Sequence, residues 1–165
     1  MDKKKHILLI PFPAYGHIIP ITELGKKIAE FHYVSLAITA HMVPGIIQRG
    51  LNEQSINIIP IEDGYKIDPN EFALSNKEFK RLLDHMIPAY HDFMQKLPTK
   101  FDSGQEPYQI LKAVDAIISD NFMVTMIISC LDRQIPFYHF NTTSAGKHQY
   151  CKFITFLQFF SRRCR

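Results

Sequence analysis

Residues 6–17 decide the fold, and they read HILLIPFPAYGH. His6–Ile10 is a continuous apolar run, which is typical of a strand buried on both faces of a parallel sheet. Two prolines end this strand, and a short loop leads into a helix predicted from about His17 to Phe31, where apolar residues recur at helical spacing. A buried strand, a loop and an amphipathic helix form the first unit of an α/β sheet.

The rest of the chain repeats this alternation of strands and helices. Further strands are predicted at Val34–Thr39, Ile56–Ile61, Ala116–Ser119 and Phe137–Phe140, and helices at Val43–Leu51, Asn76–Ile87, Pro88–Leu97, Met123–Arg133 and Ser144–Phe160. Pro88 separates two of the helices, because proline suits a first helical turn and disrupts an interior one. The pattern predicts a single α/β domain over residues 1–165, with a Rossmann-like parallel sheet flanked by helices.

Composition narrows the class of protein further. The 165 residues carry a formal charge of only +3, and no basic face is interleaved with aromatic residues, so nucleic-acid binding is not expected. Pro11 and Pro13 shorten the first apolar run, and no other run is long enough to span a bilayer, so neither a signal peptide nor a membrane anchor is expected. Three cysteines without CxxC spacing fit a reduced, cytoplasmic protein.

Polar side chains follow three of the predicted strands, at Gly16-His17, at Asp120-Asn121 and at residues 142–144. The carboxyl ends of parallel strands share one edge of the sheet, where function gathers. A helix amino terminus disfavours a positive charge, so the imidazole of His17 is expected to stay neutral and able to accept a proton. Asp120 could hold the other ring nitrogen, which is the arrangement that activates a hydroxyl.

Structural roles compete with this interpretation. From spacing alone, a capping or packing role fits His17 equally well, and an aspartate after a strand is more often a turn or helix cap. The other histidines show no HxxxH or HExxH spacing, so no metal site is predicted. The first loop lacks GxGxxG and GxxxxGK[ST], which argues against a conventional dinucleotide or P-loop site.

At these residues the sequence resembles the family 1 UDP-glycosyltransferases of the plant and bacterial type. One match is the opening strand and loop with Gly16-His17. The other runs from Asp120-x-Phe122 through Ile135-Pro136 to FxTxSA at residues 140–145. The resemblance implies the amino-terminal half of a GT-B fold, with His17 as catalytic base, Asp120 as its partner and Thr142 near the donor phosphates.

The chain departs from the family pattern at three positions. Members often carry tryptophan, aspartate and glycine where this sequence has Thr125, Ile128 and Gln134. We interpret these differences as packing and turn changes that leave His17 and Asp120 in place.

The resemblance also implies a reaction, an inverting transfer of a sugar to a hydroxyl of a small, apolar acceptor. The UDP-sugar would be a co-substrate, and no other cofactor is expected. Apolar residues that could line the acceptor pocket are Phe12, Met86, Ile87, Tyr90, Met94 and Phe122. For those in the middle of the chain, an ordinary core position is the favoured alternative.

The family's second, donor-binding domain has no counterpart among these residues, so the chain is expected to be truncated and inactive alone. Two alternatives stay open at this point: a non-catalytic binding or regulatory subunit that pairs with a separate donor-binding chain, and a small-ligand binding module that has lost catalysis. Phe153, Phe156 and Phe160 share one face of the last predicted helix. Such a face favours burial against a partner chain or domain.

Overall fold

Five parallel strands form the centre of the described part of this computed structural model. They are β1 (His6–Ile10), β2 (Tyr33–Thr39), β3 (Ile56–Ile61), β4 (Ala116–Asp120) and β5 (Phe137–Phe140). Their order is β3-β2-β1-β4-β5, and every neighbouring pair is parallel. The structure describes residues 4–51, 55–66, 76–97, 113–126 and 134–141. The predicted α/β class, with its Rossmann-like parallel sheet, is confirmed.

Most of the described helices lie close to the positions that the sequence predicts. They are α1 (Tyr15–Ala29), α2 (Val43–Gln48) and α3 (Asn76–Lys96), with 3₁₀ helices at Ala40–Met42 and Asn121–Met126. The helix α1 therefore begins two residues before His17. After β4 the chain enters a 3₁₀ helix at once, instead of an α-helix from Met123. The rest of that predicted helix lies outside the described residues, and so does the helix predicted at Ser144–Phe160, which carries Phe153, Phe156 and Phe160.

The prediction of two helices separated at Pro88 was wrong, because α3 continues through this proline. Pro88 is exposed, whereas Leu82, Met86, Tyr90 and other residues on both sides of it belong to one buried cluster against the sheet. An interior proline costs about 3 kcal/mol or more. Burying a large apolar side chain gains about 1.5–3 kcal/mol, so several such side chains outweigh the proline.

The core lies in two layers, one on each face of the sheet. Leu8 and Ile10 of β1 face the layer that contains α3, and Leu9 between them faces the layer that contains α1. The helix α1 lies very close to the strands at Gly25, where an added Cβ would come within 2.6 Å of the Leu9 side chain. Burial on both faces explains why the strands read as continuous apolar runs.

The order of the strands creates a crevice between β1 and β4. The chain runs from β1 outward to β3, and then returns to the other side of β1 as β4. Ile10 lies opposite Ser119 in the register of the two strands, so both strands end side by side. In open parallel sheets, ligands bind at such a reversal of strand order.

Candidate active site

The first loop sets the direction of the His17 side chain. Phe12 and Pro13 are buried, and the backbone turns tightly, because the amide of Ala14 donates to the carbonyl of Phe12 at 2.8 Å. Ala14 precedes α1, and the amide of His17 donates to the Ala14 carbonyl at 2.9 Å. The imidazole therefore projects from the first turn of the helix, at the edge where β1 and β4 end.

His17 and Asp120 meet at that edge. Nδ1 of His17 lies 2.8 Å from Oδ2 of Asp120, and the side chain of Asp120 is completely buried. An ionised carboxylate only accepts hydrogen bonds, so the proton of a neutral His17 ring lies on Nδ1. The lone pair is then on Nε2, which makes this atom the base of the ring. The catalytic roles of both residues stay a prediction, but the structure brings them together as that prediction requires.

Asp120 also holds the chain that follows it. Its Oδ1 accepts a hydrogen bond from the backbone amide of Phe122 at 2.9 Å. Asp120 therefore also has the structural role expected of an aspartate in a turn, and it fills this role with Oδ1 while Oδ2 contacts His17. A buried carboxylate is costly unless hydrogen bonds satisfy it, and these bonds fix its orientation toward His17.

Aromatic rings surround the imidazole. The centroid of the His17 ring lies 5.4 Å from that of Phe12 and 5.2 Å from that of Phe122, both in edge-to-face arrangements. Phe12 is buried, whereas Phe122 is 49% exposed. The base of the candidate site therefore lies against apolar surface that is accessible on the Phe122 side.

The residues predicted to line an acceptor pocket divide into two groups. Phe12 and Phe122 contact His17, as described above. Met86, Tyr90 and Met94 are buried in the core layer under α3, with Ile87 packed at its margin. The hydroxyl of Tyr90 donates to the Ala37 carbonyl at 3.3 Å, and burial raises the pKa of Tyr90 far above its ordinary value. The α3 residues of this set therefore occupy core positions, as the alternative interpretation predicts. Thr142, predicted to lie near the donor phosphates, is outside the described residues.

Sequence reasoning set His139 aside, but the structure places it close to the site. It lies on β5 opposite Ser119, and its Nδ1 is buried without a hydrogen-bond partner. Burial lowers the pKa of His139, and the charge of Asp120 opposes this shift. The sequence does place His139 within a predicted strand. Only the strand order, which sets β5 beside β4, shows that this strand is the neighbour of the one that ends in Asp120.

A second cluster at the same edge also escaped sequence analysis. Asp63, after β3, has a nearly buried side chain, and its Oδ2 lies 3.8 Å from Nδ1 of His41. Burial lowers the pKa of His41, against the opposing effect of Asp63. Within the described ranges, no group of three or more His, Cys, Asp or Glu side chains is arranged to hold a metal ion. None of the described helices is both long and apolar enough to cross a membrane.

Curated proteins with similar sequences are glycosyltransferases. Mogroside I-E synthase from Siraitia grosvenorii is 36% identical over 92 residues, which cover 55% of this chain and 20% of that protein. NDP-glycosyltransferase YjiC from Bacillus subtilis strain 168 is 34% identical over 96 residues, which cover 54% of this chain and 24% of that protein. Linamarin synthase 1 from Manihot esculenta aligns with 94% of this chain at 28% identity, over 31% of its own length. No protein-family model matches the chain.

Solved structures show the same fold. The structure of Phytolacca americana UGT2 complexed with UDP-2fluoro-glucose and pterostilbene matches with a TM-score of 0.59 at 21% identity, covering 86% of this chain and 31% of that one. Arabidopsis thaliana UGT89C1 complexed with UDP-L-rhamnose also matches with a TM-score of 0.59 at 21% identity, covering 84% and 36%. The chain spans between 20% and 31% of the three curated relatives above. In sequence the chain is similar to curated glycosyltransferases, and in fold it is similar to one Rossmann-like part of solved UDP-glycosyltransferase structures.

Proposed function

We propose that this chain activates the acceptor in an inverting, UDP-sugar-dependent glycosyl transfer to a hydroxyl group. His17 is the general base, and Asp120 is its orienting partner. The observation that carries the proposal is the 2.8 Å hydrogen bond between Nδ1 of His17 and Oδ2 of Asp120. The relationship to UDP-glycosyltransferases supplies the reaction class, and the hydrogen-bonded pair supplies a group able to perform its first proton transfer.

The proposed step balances as follows. Nε2 of His17 takes the proton of the acceptor hydroxyl while the acceptor oxygen attacks the anomeric carbon of the sugar. The bond from this carbon to the phosphate oxygen breaks, and UDP leaves with the electron pair on the opposite face, which inverts the configuration. The ring becomes an imidazolium, whose charge the Asp120 carboxylate stabilises.

The acceptor is proposed to be a small, apolar molecule that carries a hydroxyl. Phe12 and Phe122 pack on the His17 ring, so the hydroxyl would approach Nε2 across apolar surface. Exposed apolar surface beside a polar reactive group is the usual lining of a small-molecule site.

The donor is proposed to be held by groups outside the described residues, including Thr142. A diphosphate leaving group needs hydrogen-bond donors or positive charges aimed at its developing charge. The chain spans about a third or less of its curated relatives, so we expect the isolated chain to bind UDP-sugar weakly and to transfer sugar very slowly.

The experiment joins this chain to the donor-binding domain of a UDP-glycosyltransferase and measures UDP release and glycoside formation with UDP-glucose and hydroxyl acceptors. His17→Ala is expected to lower the rate by about 10²–10⁴-fold, the usual contribution of a general base. His32→Ala is the matched control, because His32 lies between α1 and β2 at the opposite edge of the sheet. Full activity of the His17→Ala protein would exclude the proposed role.

A further inference from the structure

Two buried polar atoms face each other where β2 and β3 end. His41 follows β2 in the first 3₁₀ helix, and Asp63 comes two residues after β3. Nδ1 of His41 lies 3.8 Å from Oδ2 of Asp63, and the two side chains are 14% and 2% exposed. Within the described part of the chain, neither atom has a hydrogen-bond partner in the protein. Buried polar atoms are nearly always hydrogen-bonded, either to protein or to ordered water.

The two atoms do not bond to each other directly. A hydrogen bond between nitrogen and oxygen reaches about 3.2 Å, and this separation is 3.8 Å. Tyr65 holds both partners in place. Its backbone amide donates to Oδ1 of Asp63 at 3.1 Å, and its ring centroid lies 5.2 Å from that of His41. The gap between His41 and Asp63 is therefore set by the surrounding structure.

Hydrogen bonds to α3 fix the loop that carries Asp63. The carbonyl of Asp63 accepts a bond from Nδ1 of His85 at 3.2 Å. The hydroxyl of Tyr65 donates to the almost completely buried carboxylate of Glu78 at 2.9 Å. Gly64, between these two anchors, has a φ of +69°, a conformation that favours glycine. A shift of Asp63 toward His41 would strain these bonds, so the gap stays open.

A water molecule has the size and the bonding capacity that this gap requires. An oxygen about 2.8–3.0 Å from both atoms fits beside the line that joins them, because each of these lengths is more than half of 3.8 Å. Water can donate one proton to the carboxylate, and it can either donate to Nδ1 or accept from it. Burial lowers the pKa of His41, so the ring is neutral at pH 7 and either tautomer can form such a bond.

A metal ion fits the pair less well than water does. Zinc usually takes three or four protein ligands. In the described ranges, no third His, Cys, Asp or Glu side chain joins His41 and Asp63 in a set that could hold a metal ion. Calcium and magnesium prefer oxygen ligands, and His41 offers a nitrogen. A buried water needs two to four polar partners, and this pair supplies two.

We propose that the gap between His41 and Asp63 is a binding site for one ordered water molecule, which bridges Nδ1 to Oδ2 and joins the end of β2 to the loop after β3. The site uses neither His17 nor Asp120, so it does not depend on the proposed glycosyl transfer. The water gives the buried carboxylate of Asp63 a second hydrogen-bond donor, and a buried carboxylate is costly unless such bonds satisfy it. Because both side chains are buried, this water exchanges with solvent more slowly than a surface water.

The first test uses the unaltered 165-residue chain. A high-resolution crystal structure is expected to show one peak of density within hydrogen-bond distance of both atoms, with no anomalous scattering from a metal. In solution, nuclear Overhauser effects between water and the Hε1 proton of His41 are expected, with the sign of a long-lived water. A direct bond between the two side chains, a metal at this position, or no bound water by either method would overturn the proposal.

The second test removes one of the two anchors. His41→Phe keeps a ring against Tyr65 but has no Nδ1, so the density peak between positions 41 and 63 should be lost. His85→Ala is the matched control, because His85 contacts the carbonyl of the same aspartate and not the gap; its bound water should remain. A water retained in His41→Phe, or lost equally in both variants, would contradict the bridging role. If His41→Phe does not fold, the measurements on the unaltered chain decide.

Discussion

Nδ1 of His17 and Oδ2 of Asp120 lie 2.8 Å apart, although 103 positions separate the two residues in the sequence. The contact exists because β1 and β4 are neighbours at the reversal of strand order, and both side chains leave the sheet at the same edge. It connects a helix amino terminus on one side of the crevice to a buried carboxylate on the other. A base and its orienting partner thus come from two separate strand–helix units.

Asp120→Asn tests the partner role with little change in shape. The amide oxygen can still accept from the backbone of Phe122, so stability should change by about 1 kcal/mol or less. The charge that balances the imidazolium is lost, so transfer by the chain joined to a donor-binding domain should fall by about 10²–10⁴-fold. Enzyme assays and urea unfolding measure the two effects.

Asp120→Ala is the companion variant, because it removes both acceptor oxygens. It leaves the Phe122 amide and His17 Nδ1 without this partner and should cost about 1–3 kcal/mol of unfolding free energy. Equal stability of the Ala and Asn variants would contradict the turn role of Asp120, and an Asn variant with full activity would contradict the catalytic one.

Gln134→Gly should stabilise the protein. Gln134 has a φ of 56°, in the left-handed region. For a residue with a Cβ this conformation costs about 1–2 kcal/mol of conformational free energy. Glycine avoids that cost but loses about 0.5–1 kcal/mol of backbone entropy, so a net gain of about 0.5–1 kcal/mol in unfolding free energy is expected. Gln134→Ala keeps a Cβ and should give no gain, and an equal gain from both variants in urea unfolding would refute the argument.

Stability should fall as the pH falls from about 7.5 to 5.5, because of two partly buried histidines, His41 and His139. Burial lowers the pKa of His41 and of His139 below the ordinary value of 6.5. As the pH falls through 6.5 the unfolded chain takes up protons that the folded chain does not, which favours unfolding. Above about 7.5 both states are neutral at these sites, and the penalty is absent.

The double variant His41→Gln, His139→Leu checks this pH dependence. Thermal unfolding across the same pH range should show a smaller loss of stability than the unaltered chain, and His32→Ala serves as the control for removal of a histidine. An unchanged slope in the double variant would show that other groups cause the acid sensitivity.

Much of the local structure follows from the sequence. The strands His6–Ile10, Ile56–Ile61 and Phe137–Phe140 lie at their predicted bounds, because an apolar run buried on both faces has few alternatives to a central strand. Gln134 was interpreted as a turn change where relatives often carry glycine, and its positive φ shows why glycine suits that position. The predicted break at Pro88 was wrong, because the sequence shows the local cost of a proline inside a helix. The burial of the α3 side chains against the sheet, which outweighs that cost, depends on contacts with distant residues.

The sequence by itself determined the alternation of strands and helices, the parallel sheet and the candidate pair of His17 and Asp120, because local periodicity and a resemblance to a known family carry that information. Only the tertiary structure decided that these two side chains touch, that Phe12 and Phe122 pack on the His17 ring, and that His139 lies near Asp120. Such neighbourhoods depend on strand order and on burying both faces of the sheet at once. These are properties of contacts between distant residues, which no local pattern contains.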